Sequence, residues 1–363
     1  MSTPMMLPIL FLAAAADAAS PPVAACPLPD DGQYACVATA QGWFQAADEA
    51  EAASMAEAAR QAAELFEHHF QRPAVRGAII ATGSGGGLSD ERKEAFRAHG
   101  AEWAMPWIGP DDKRRLAETQ IRRQIASQLG ANADAATIDQ TVAKALAQLP
   151  GSDDGTANSA LRHEIGHLLL MRAFPTAQDG DASGGMHGYG GGLPDWLDET
   201  AAVLMEDEAM SQRRRERLRQ RLACDHGSLP PLARFFVMEH PLAGVVRERF
   251  SSHDANAGSG SRVLMLSGGA AGELAEQGAV FYEQSRALAD FLIESSGDAA
   301  IFGHIAQALA AGGDMAAWLA AEGAGHGLPA DIVALERAWQ GWLERIAAAE
   351  PGCAGTVSDP AKA

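Results

Sequence analysis

The sequence predicts an α+β protein in which a small N-terminal α/β sheet unit precedes a mostly helical region. The first observation is a strand–helix–strand order, because residues 74–82 and 101–108 are short apolar runs and residues 91–99 between them have a helical pattern. The second is a long stretch rich in Ala and Glu at residues 48–70. The third is that apolar residues after residue 160 recur mostly at helical spacing. With 363 residues, 47% of them hydrophobic, the chain is long enough for a sizeable core and roughly two or three domains.

The elements of the first unit have recognisable boundaries. Residues 33–40 are predicted as a short strand, and the long helix ends before Pro73. The glycine-rich residues 83–87 predict a turn, and they lack the Lys-Ser/Thr pair of a phosphate-binding loop. Residues 111–149 have a helical pattern throughout, so we expect a helical insertion between the sheet and the rest of the chain.

An HExxH motif, His163-Glu164-Ile165-Gly166-His167, lies in a predicted helix at residues 159–174. On a helix the two histidines project from one face, one turn apart, and two imidazoles at that spacing can hold one zinc ion. Glu164 would lie beside the metal and could accept a proton from water. A small residue at Gly166 leaves room for the close approach of another element. An apolar stripe that faces a core accompanies the motif: Leu161, Ile165, Leu168 and Leu169.

Glu199 is the candidate third zinc ligand. It lies in a first helical turn after Pro194, where the helix dipole favours a carboxylate even without a metal. The helix that follows is too apolar for a surface helix, and a carboxylate in such a helix usually has a partner. Two histidines and one glutamate leave a fourth position open for water, which is the arrangement of a catalytic zinc site rather than a structural one.

From about residue 160 to residue 343 the sequence resembles the gluzincin metallopeptidases, especially the small bacterial peptidase-MA-like proteins related to M1 aminopeptidases. The resemblance is carried by LRHEIGHLLL, LPDWLDETAAVLME, LPPLARFF, FYEQSRALADFLIESSG and ALERAWQGWL. It implies a zincin-type fold, Zn2+ bound by His163, His167 and Glu199, and Glu164 as the base. Thr200 departs from the family, which usually has Gly after the ligand glutamate.

The resemblance also implies a peptide substrate and a way to bind it. In these enzymes the edge strand of the sheet holds the peptide, and residues 102–107 are the candidate strand here. A tyrosine on a later helix steadies the oxyanion, and Tyr282 is the best match. The alternative role for Tyr282 is that of an aromatic residue at a helix interface.

We therefore expect a zinc-dependent metallopeptidase that hydrolyses peptide bonds in a peptide or protein substrate. The alternative is a catalytically degenerate zincin-fold protein with a binding or scaffold role in the cell envelope. The predicted organisation is a signal peptide (1–18), an N-terminal sheet unit (19–110), a helical insertion (111–150), a helical zinc-binding catalytic domain (151–350) and a tail (351–363).

The acidic charge argues against nucleic acid as a partner. The formal net charge is −19, whereas contact with phosphates requires a basic surface. The one basic cluster is the arginine-rich stretch 213–221, which follows three acidic residues. A solvated, salt-bridged helix face is the expected structure, and binding of an anionic surface is the alternative.

The N-terminus predicts export to the periplasm or the exterior. Residues 7–16 form an apolar segment too short to span a bilayer, and Ala16-Asp17-Ala18 fits a signal-peptidase site. The segment before it lacks Lys and Arg, which is unusual for a signal peptide. Val23-Ala24-Ala25-Cys26 resembles a lipobox, so a lipid anchor at Cys26 is the alternative to a freely soluble exported protein. No other apolar stretch is long enough to span a membrane.

Four cysteines without zinc-ligand spacing indicate two disulfides in an exported chain. Cys26 with Cys36 would close a short loop, and Cys224 with Cys353 would tie the tail to the body. The sequence leaves the other pairings open.

The remaining histidines are predicted to have no metal role. His304 and His326 lack ligand spacing, and His240 before Pro241 is expected to be structural. Residues 178–192, which join the two predicted ligand helices, contain seven glycines and could form a gate over the cleft. His187 in this segment is a candidate for substrate contact, with a surface histidine as the alternative.

Overall fold

A small mixed sheet at the N-terminal end and a larger helical region make up the fold, in agreement with the predicted α+β class. The computed structural model describes residues 26–27, 34–83, 87–129, 134–147, 154–177, 191–224, 229–242 and 269–348. The predicted signal peptide and tail lie outside the described residues, as do His187 and most of the glycine-rich segment.

Four strands form the sheet of the described residues: β1 (Ala35–Thr39), β2 (Gly42–Ala46), β3 (Gly77–Ala81) and β4 (Trp103–Trp107). Their order is β1-β2-β3-β4, with β1 antiparallel to β2 and the other pairs parallel. β4, which contains Pro106, is an edge strand, as expected for residues 102–107. β2 was not predicted, because it has only five residues and its sequence, GWFQA, does not alternate between apolar and polar residues.

The helices are α1 (Glu49–Phe70), α2 (Asp90–Ala98), α3 (Pro110–Leu129), α4 (Ala135–Ala147), α5 (Asp154–Ala173), α6 (Asp195–Met205), α7 (Glu208–Cys224), α8 (Leu232–Phe235), α9 (Gly269–Ser296), α10 (Ile301–Ala310), α11 (Met315–Glu322) and α12 (Ile332–Ala347). A 3-10 turn, Gly323–His326, lies between α11 and α12. No described helix has both the length and the apolar character needed to cross a membrane.

α1 joins the sheet to the helical region. Asp48 caps its start by accepting a hydrogen bond from the backbone N–H of Glu51, and its small, buried alanines allow close packing. The helix contacts β1 and β2 on one side and α5, α6 and α10 on others. The predicted helix at residues 48–70 is therefore confirmed.

The region predicted as one helical insertion contains two helices, α3 and α4, that contact each other. Asp134 caps the second helix by accepting from the N–H of Thr137 at 2.8 Å, and Arg122 pairs with Asp139 across the two helices. A cap of this kind begins a new helix, so the prediction of an unbroken helical stretch was wrong in that respect.

Two apolar clusters fix the sheet between helices. Phe44 and Ile79 lie in the main core with α1, whereas Trp43 and Ile80 pack with Phe96 of α2 on the opposite face. Neighbouring residues of a strand point to opposite faces, which accounts for the division.

Cys26 and Cys36 form a disulfide, which confirms one of the predicted pairings. Cys353 and the side chain of Cys224 lie outside the described residues, so the second pairing stays a prediction. One sulfur cannot hold both a disulfide and a lipid thioether. The disulfide and a lipid anchor at Cys26 are therefore mutually exclusive states of the chain.

Candidate metal centre

The centre lies between α5 and α6, which pack closely because of Gly166. A Cβ atom at that position would lie 2.8 Å from Cα of Ala202 and 3.0 Å from the carbonyl oxygen of Ala201. Both are backbone atoms that cannot move aside alone. The predicted close approach of another element at Gly166 is therefore present, and it brings the HExxH helix against the helix of Glu199.

His163, His167 and Glu199 converge at this contact. The Nε2 atom of His163 lies 3.2 Å from one carboxylate oxygen of Glu199, and Nε2 of His167 lies 3.9 Å from the other. Candidate ligand atoms of all three residues lie within 4.8 Å of one another. Atoms around a tetrahedral zinc with bonds of about 2.0–2.1 Å are about 3.3 Å apart, so only small side-chain shifts separate this arrangement from a coordination shell.

Each histidine is oriented by a second carboxylate. Nδ1 of His163 lies 2.9 Å from Oε1 of Glu206, and Nδ1 of His167 lies 2.7 Å from Oδ2 of Asp198. A carboxylate at Nδ1 holds the proton there and leaves the Nε2 lone pair for a metal, as is common for metal-binding histidines. Both Nε2 atoms face Glu199, so the two rings already point in the direction that coordination requires.

The Glu199 carboxylate is buried without a hydrogen-bond partner, among the described residues, that would stabilise its charge. It is 1% exposed, and neither oxygen has a hydrogen-bond partner in the described part of the chain. Burial raises its pKa to about 7, although His163 and His167 act in the opposite direction. Burial by itself lowers the pKa of His167, but Asp198, Glu199 and Glu164 together raise it to about 10. The site thus favours a positive charge in contact with its carboxylates, which a divalent cation would supply.

Glu206 is held from outside the centre by two arginines. Arg214 of α7 forms two hydrogen bonds to its carboxylate, and Arg162 donates to its backbone carbonyl and to that of Met205. Burial would raise the pKa of Glu206, but the bonds from Arg214 and His163 outweigh burial and lower it to about 2. Glu206 therefore stays ionised, and its position relative to His163 is fixed.

The arginine-rich stretch is salt-bridged as predicted, but it is not simply a solvated face. Arg214 turns inward to Glu206, and Arg215 and Arg221 pair with Asp290 and Glu283 of α9. Only the expected exposure to solvent was wrong. The order of charges along one helix does not show that acidic residues of another helix cover one of its faces.

Glu164, the candidate base, is exposed beside the centre and thus open to solvent. Lys113 of α3 is its cationic neighbour: burial lowers the pKa of Lys113, and the charge of Glu164 acts against that. The Lys113 ammonium also lies 4.2 Å from the ring centroid of Trp107, at the end of β4. The predicted insertion therefore contributes to the surroundings of the site, which the sequence did not reveal.

Tyr282 and His240 cover the centre from α9 and from the segment after α8. The Tyr282 ring lies 5.8 Å from the ring of His163 and 5.4 Å from that of His240, and Arg214 stacks over it at 4.8 Å. Nε2 of His240 lies 3.9 Å from Oε2 of Glu199. His240 was predicted to be merely structural, since its distance from the motif along the chain gave no signal of this contact.

The tautomer of His240 follows from its neighbours. The backbone N–H of Leu242 donates to its Nδ1 at 3.2 Å, and Asp195 accepts from its backbone N–H at 2.6 Å. Burial lowers the pKa of His240 to about 4, so the ring is neutral near pH 7 and carries its proton on Nε2. That N–H points toward the carboxylate of Glu199.

Comparisons of the chain with protein-family models, with curated proteins and with solved structures found no match.

Proposed function

We propose that the protein is a zinc-dependent metallopeptidase of gluzincin type that hydrolyses peptide bonds. The observation that carries the proposal is the buried Glu199 carboxylate, which has no hydrogen-bond partner among the described residues and faces Nε2 of both His163 and His167. The donor set of two imidazoles and one carboxylate matches that of catalytic zinc sites. Carboxylates at both Nδ1 atoms supply the orientation that such ligands require.

Glu164 is the proposed general base. When bound, zinc would lower the pKa of a water molecule and polarise the carbonyl of the bond to be cut. Glu164 lies within the motif but is exposed, so it can reach water without giving up a structural contact. It would accept the proton of the attacking water and pass it to the leaving amine. The ammonium of Lys113 is the cationic neighbour of this carboxylate.

Two groups are the candidates to steady the oxyanion. Tyr282 lies over His163, and His240 presents its Nε2–H toward Glu199. We assign the main role to Tyr282, because its ring lies 5.8 Å from that of His163 and the gluzincin resemblance implies a tyrosine donor on this later helix. His240 is then a second donor that also positions the Glu199 carboxylate.

The resemblance to gluzincins supplies the proposed fold type and substrate. In a zincin-type arrangement a peptide would lie along β4, whose C-terminal residue, Trp107, contacts Lys113 beside the base. The proposed location is outside the cytoplasm, where the disulfide between Cys26 and Cys36 would be stable. Nucleic acid is not a proposed partner, given the net charge of −19.

The test is a comparison of wild-type protein with Glu164→Gln at fixed zinc, using a broad library of fluorogenic peptides. Glutamine keeps the shape of the side chain but cannot accept the proton, so zinc content should be unchanged. Peptide hydrolysis should fall by at least about 100-fold, the scale of lost general-base catalysis. Glu344→Gln, an exposed change on α12, should retain full activity and serves as the matched control.

The degenerate alternative predicts a different outcome. A folded, zinc-loaded wild-type protein that cleaves no peptide in the library would indicate a binding or scaffold role. Equal turnover by wild type and Glu164→Gln would move the base to another residue. A folded protein that binds no zinc would argue against both the peptidase and the zincin-fold binding protein.

A further inference from the structure

Asp298, His304 and His326 form a second group of metal-ligating side chains. Their ligand atoms lie within 4.8 Å of one another, the same limit that the first centre meets. Asp298 lies between α9 and α10, His304 lies on α10, and His326 ends the 3-10 turn before α12. The two histidines were predicted to have no metal role because 22 positions separate them. The chain reversal through α11 brings them together.

Asp298 is held with one carboxylate oxygen available. Its Oδ1 accepts a hydrogen bond from the N–H of Ala300 at 2.8 Å, and its own N–H donates to Oγ of Ser296 at 3.1 Å. Its Oδ2 lies 3.9 Å from Nε2 of His304. A carboxylate fixed through one oxygen and directed toward an imidazole through the other matches the way in which metal ligands are oriented.

The two imidazoles are adjacent, and one of them is fixed by an aromatic ring. The rings of His304 and His326 have centroids 4.6 Å apart, and His326 stacks on Trp318 of α11 at 5.6 Å. The side chains of Asp298 and His304 are 38% and 51% exposed, so water can fill the remaining coordination positions.

We propose that Asp298, His304 and His326 form a second binding site for a divalent transition-metal ion, with zinc as the ion to be tested. Two nitrogen donors and one oxygen donor suit zinc and its neighbours better than Mg2+ or Ca2+, which prefer oxygen ligands throughout. A bound ion links the segment after α9, the helix α10 and the turn before α12, so its role is to clamp the C-terminal helices. The site is separate from the proposed catalytic centre and does not depend on peptidase activity.

The experiment is a zinc titration of metal-free protein by calorimetry, with a competing chelator to suppress weak surface binding. The wild type should bind two equivalents, and both H304A/H326A and H163A/H167A should bind one. The double variant H304A/H326A should retain the affinity of the remaining site. The proposal would be overturned if H304A/H326A still bound two equivalents of zinc. It would also be overturned if the wild type and H304A/H326A each bound one.

Thermal melting gives a second readout. Zinc should raise the Tm of H163A/H167A, in which only the second site remains. The rise should disappear in the quadruple variant that also carries H304A and H326A. If H163A/H167A does not fold, the difference between the wild type and H304A/H326A carries the test. Asp298→Asn keeps the acceptor for Ala300 and should lower zinc affinity of this site alone. His99→Ala, which removes an exposed histidine on another surface, should leave the stoichiometry at two.

Discussion

Gly166 of α5 and Ala202 of α6 are in backbone contact, because a Cβ atom at position 166 would lie 2.8 Å from Cα of Ala202. This contact sets the spacing of the two helices that carry all three candidate ligands. The separation between His163 and Glu199 therefore depends on a residue that is neither a ligand nor a base.

Gly166→Ala should lower both the free energy of unfolding and zinc affinity. Alanine gains about 1 kcal/mol of helix propensity, but overpacking against backbone typically costs about 1–3 kcal/mol and moves α5 away from α6. Denaturant unfolding and zinc titration measure the two effects. Gly341→Ala is the control, since a Cβ atom there has no neighbour within 4 Å and the same change should stabilise α12. Normal zinc affinity in Gly166→Ala would mean that the helices tolerate the extra methyl group.

Glu206→Gln should weaken zinc binding by about 10- to 100-fold, the usual effect of losing a partner that orients a ligand. The amide can still accept from Nδ1 of His163, but it lacks the charge that makes the imidazole a stronger ligand. A chelator-competition titration measures the change. Glu216→Gln, at a half-exposed position of α7 where the carboxylate pairs with Arg219, provides a control with the same chemistry. An unchanged zinc affinity would show that Glu206 pairs with Arg214 but does not strengthen His163 as a ligand.

Tyr282→Phe should reduce kcat by about 100- to 1000-fold with little change in KM, because the lost hydroxyl acts in the transition state. Folding and zinc content should be normal, since the ring and its contacts with His163 and Arg214 remain. Steady-state kinetics on the best peptide substrate measure the effect. If kcat is unchanged in Tyr282→Phe and falls in His240→Gln, the oxyanion donor is His240 and Tyr282 is an interface residue.

His69 should make stability depend on pH between about 4 and 6.5. Burial lowers its pKa to about 4, although the hydrogen bond to the carbonyl of Ala299 opposes this. Below pH 6.5 the unfolded chain binds a proton that the folded chain does not, so this contribution is complete above pH 6.5 and declines as the pH falls toward 4.

The stability advantage of the wild type over His69→Gln should therefore shrink by about 1–2 kcal/mol between pH 7 and pH 5, since one pKa unit corresponds to about 1.4 kcal/mol. Urea unfolding at the two pH values measures it, and groups at the metal centre cancel in the difference. His99→Gln, an exposed histidine that is not among the groups shifting the pKa of His69, should follow the wild-type profile. A constant difference across this range would show that folded His69 takes up its proton as readily as the unfolded chain does.

Protein isolated from the native envelope should begin at Ala19 and contain the linked peptides of Cys26 and Cys36. Export through the predicted signal peptide and an oxidising compartment together account for both features. Mass spectrometry of unreduced digests measures the two in one experiment. An intact N-terminus with reduced cysteines would place the protein in the cytoplasm, and a lipid-modified Cys26 would exclude the disulfide.

The parts of the candidate site that were predictable from the sequence are those fixed by one helix. The spacing of His163 and His167 follows from helical geometry alone, and the glycine between them indicated a close helix contact. Glu199 was predictable because a carboxylate stood in an apolar helix. These signals are local, so they do not require knowledge of how helices pack.

The residues that orient or cover the site depend on packing and could not be predicted. Glu206 reaches His163 from 43 positions away, and His240 reaches Glu199 from 41 positions away. The acidic run that contains Glu206 predicts a solvated helix start equally well. β2 was missed for a similar reason, since the pairing of five residues with β1 and β3 stabilises a strand that its own pattern does not indicate.

Pro106 gives the edge of β4 that pairs with no described strand an uneven set of hydrogen-bonding groups. The carbonyl of Trp107 accepts from the N–H of Thr82 at 2.9 Å, so Met105 and Trp107 face β3 while Ala104 and Pro106 face outward. Proline lacks an N–H, and the outward edge therefore offers two carbonyls but only the donor of Ala104. An extended chain aligned with β4 would lack one backbone hydrogen bond at Pro106. For the same reason, continuous edge-to-edge pairing between two copies of the protein is disfavoured, which protects an edge strand from aggregation.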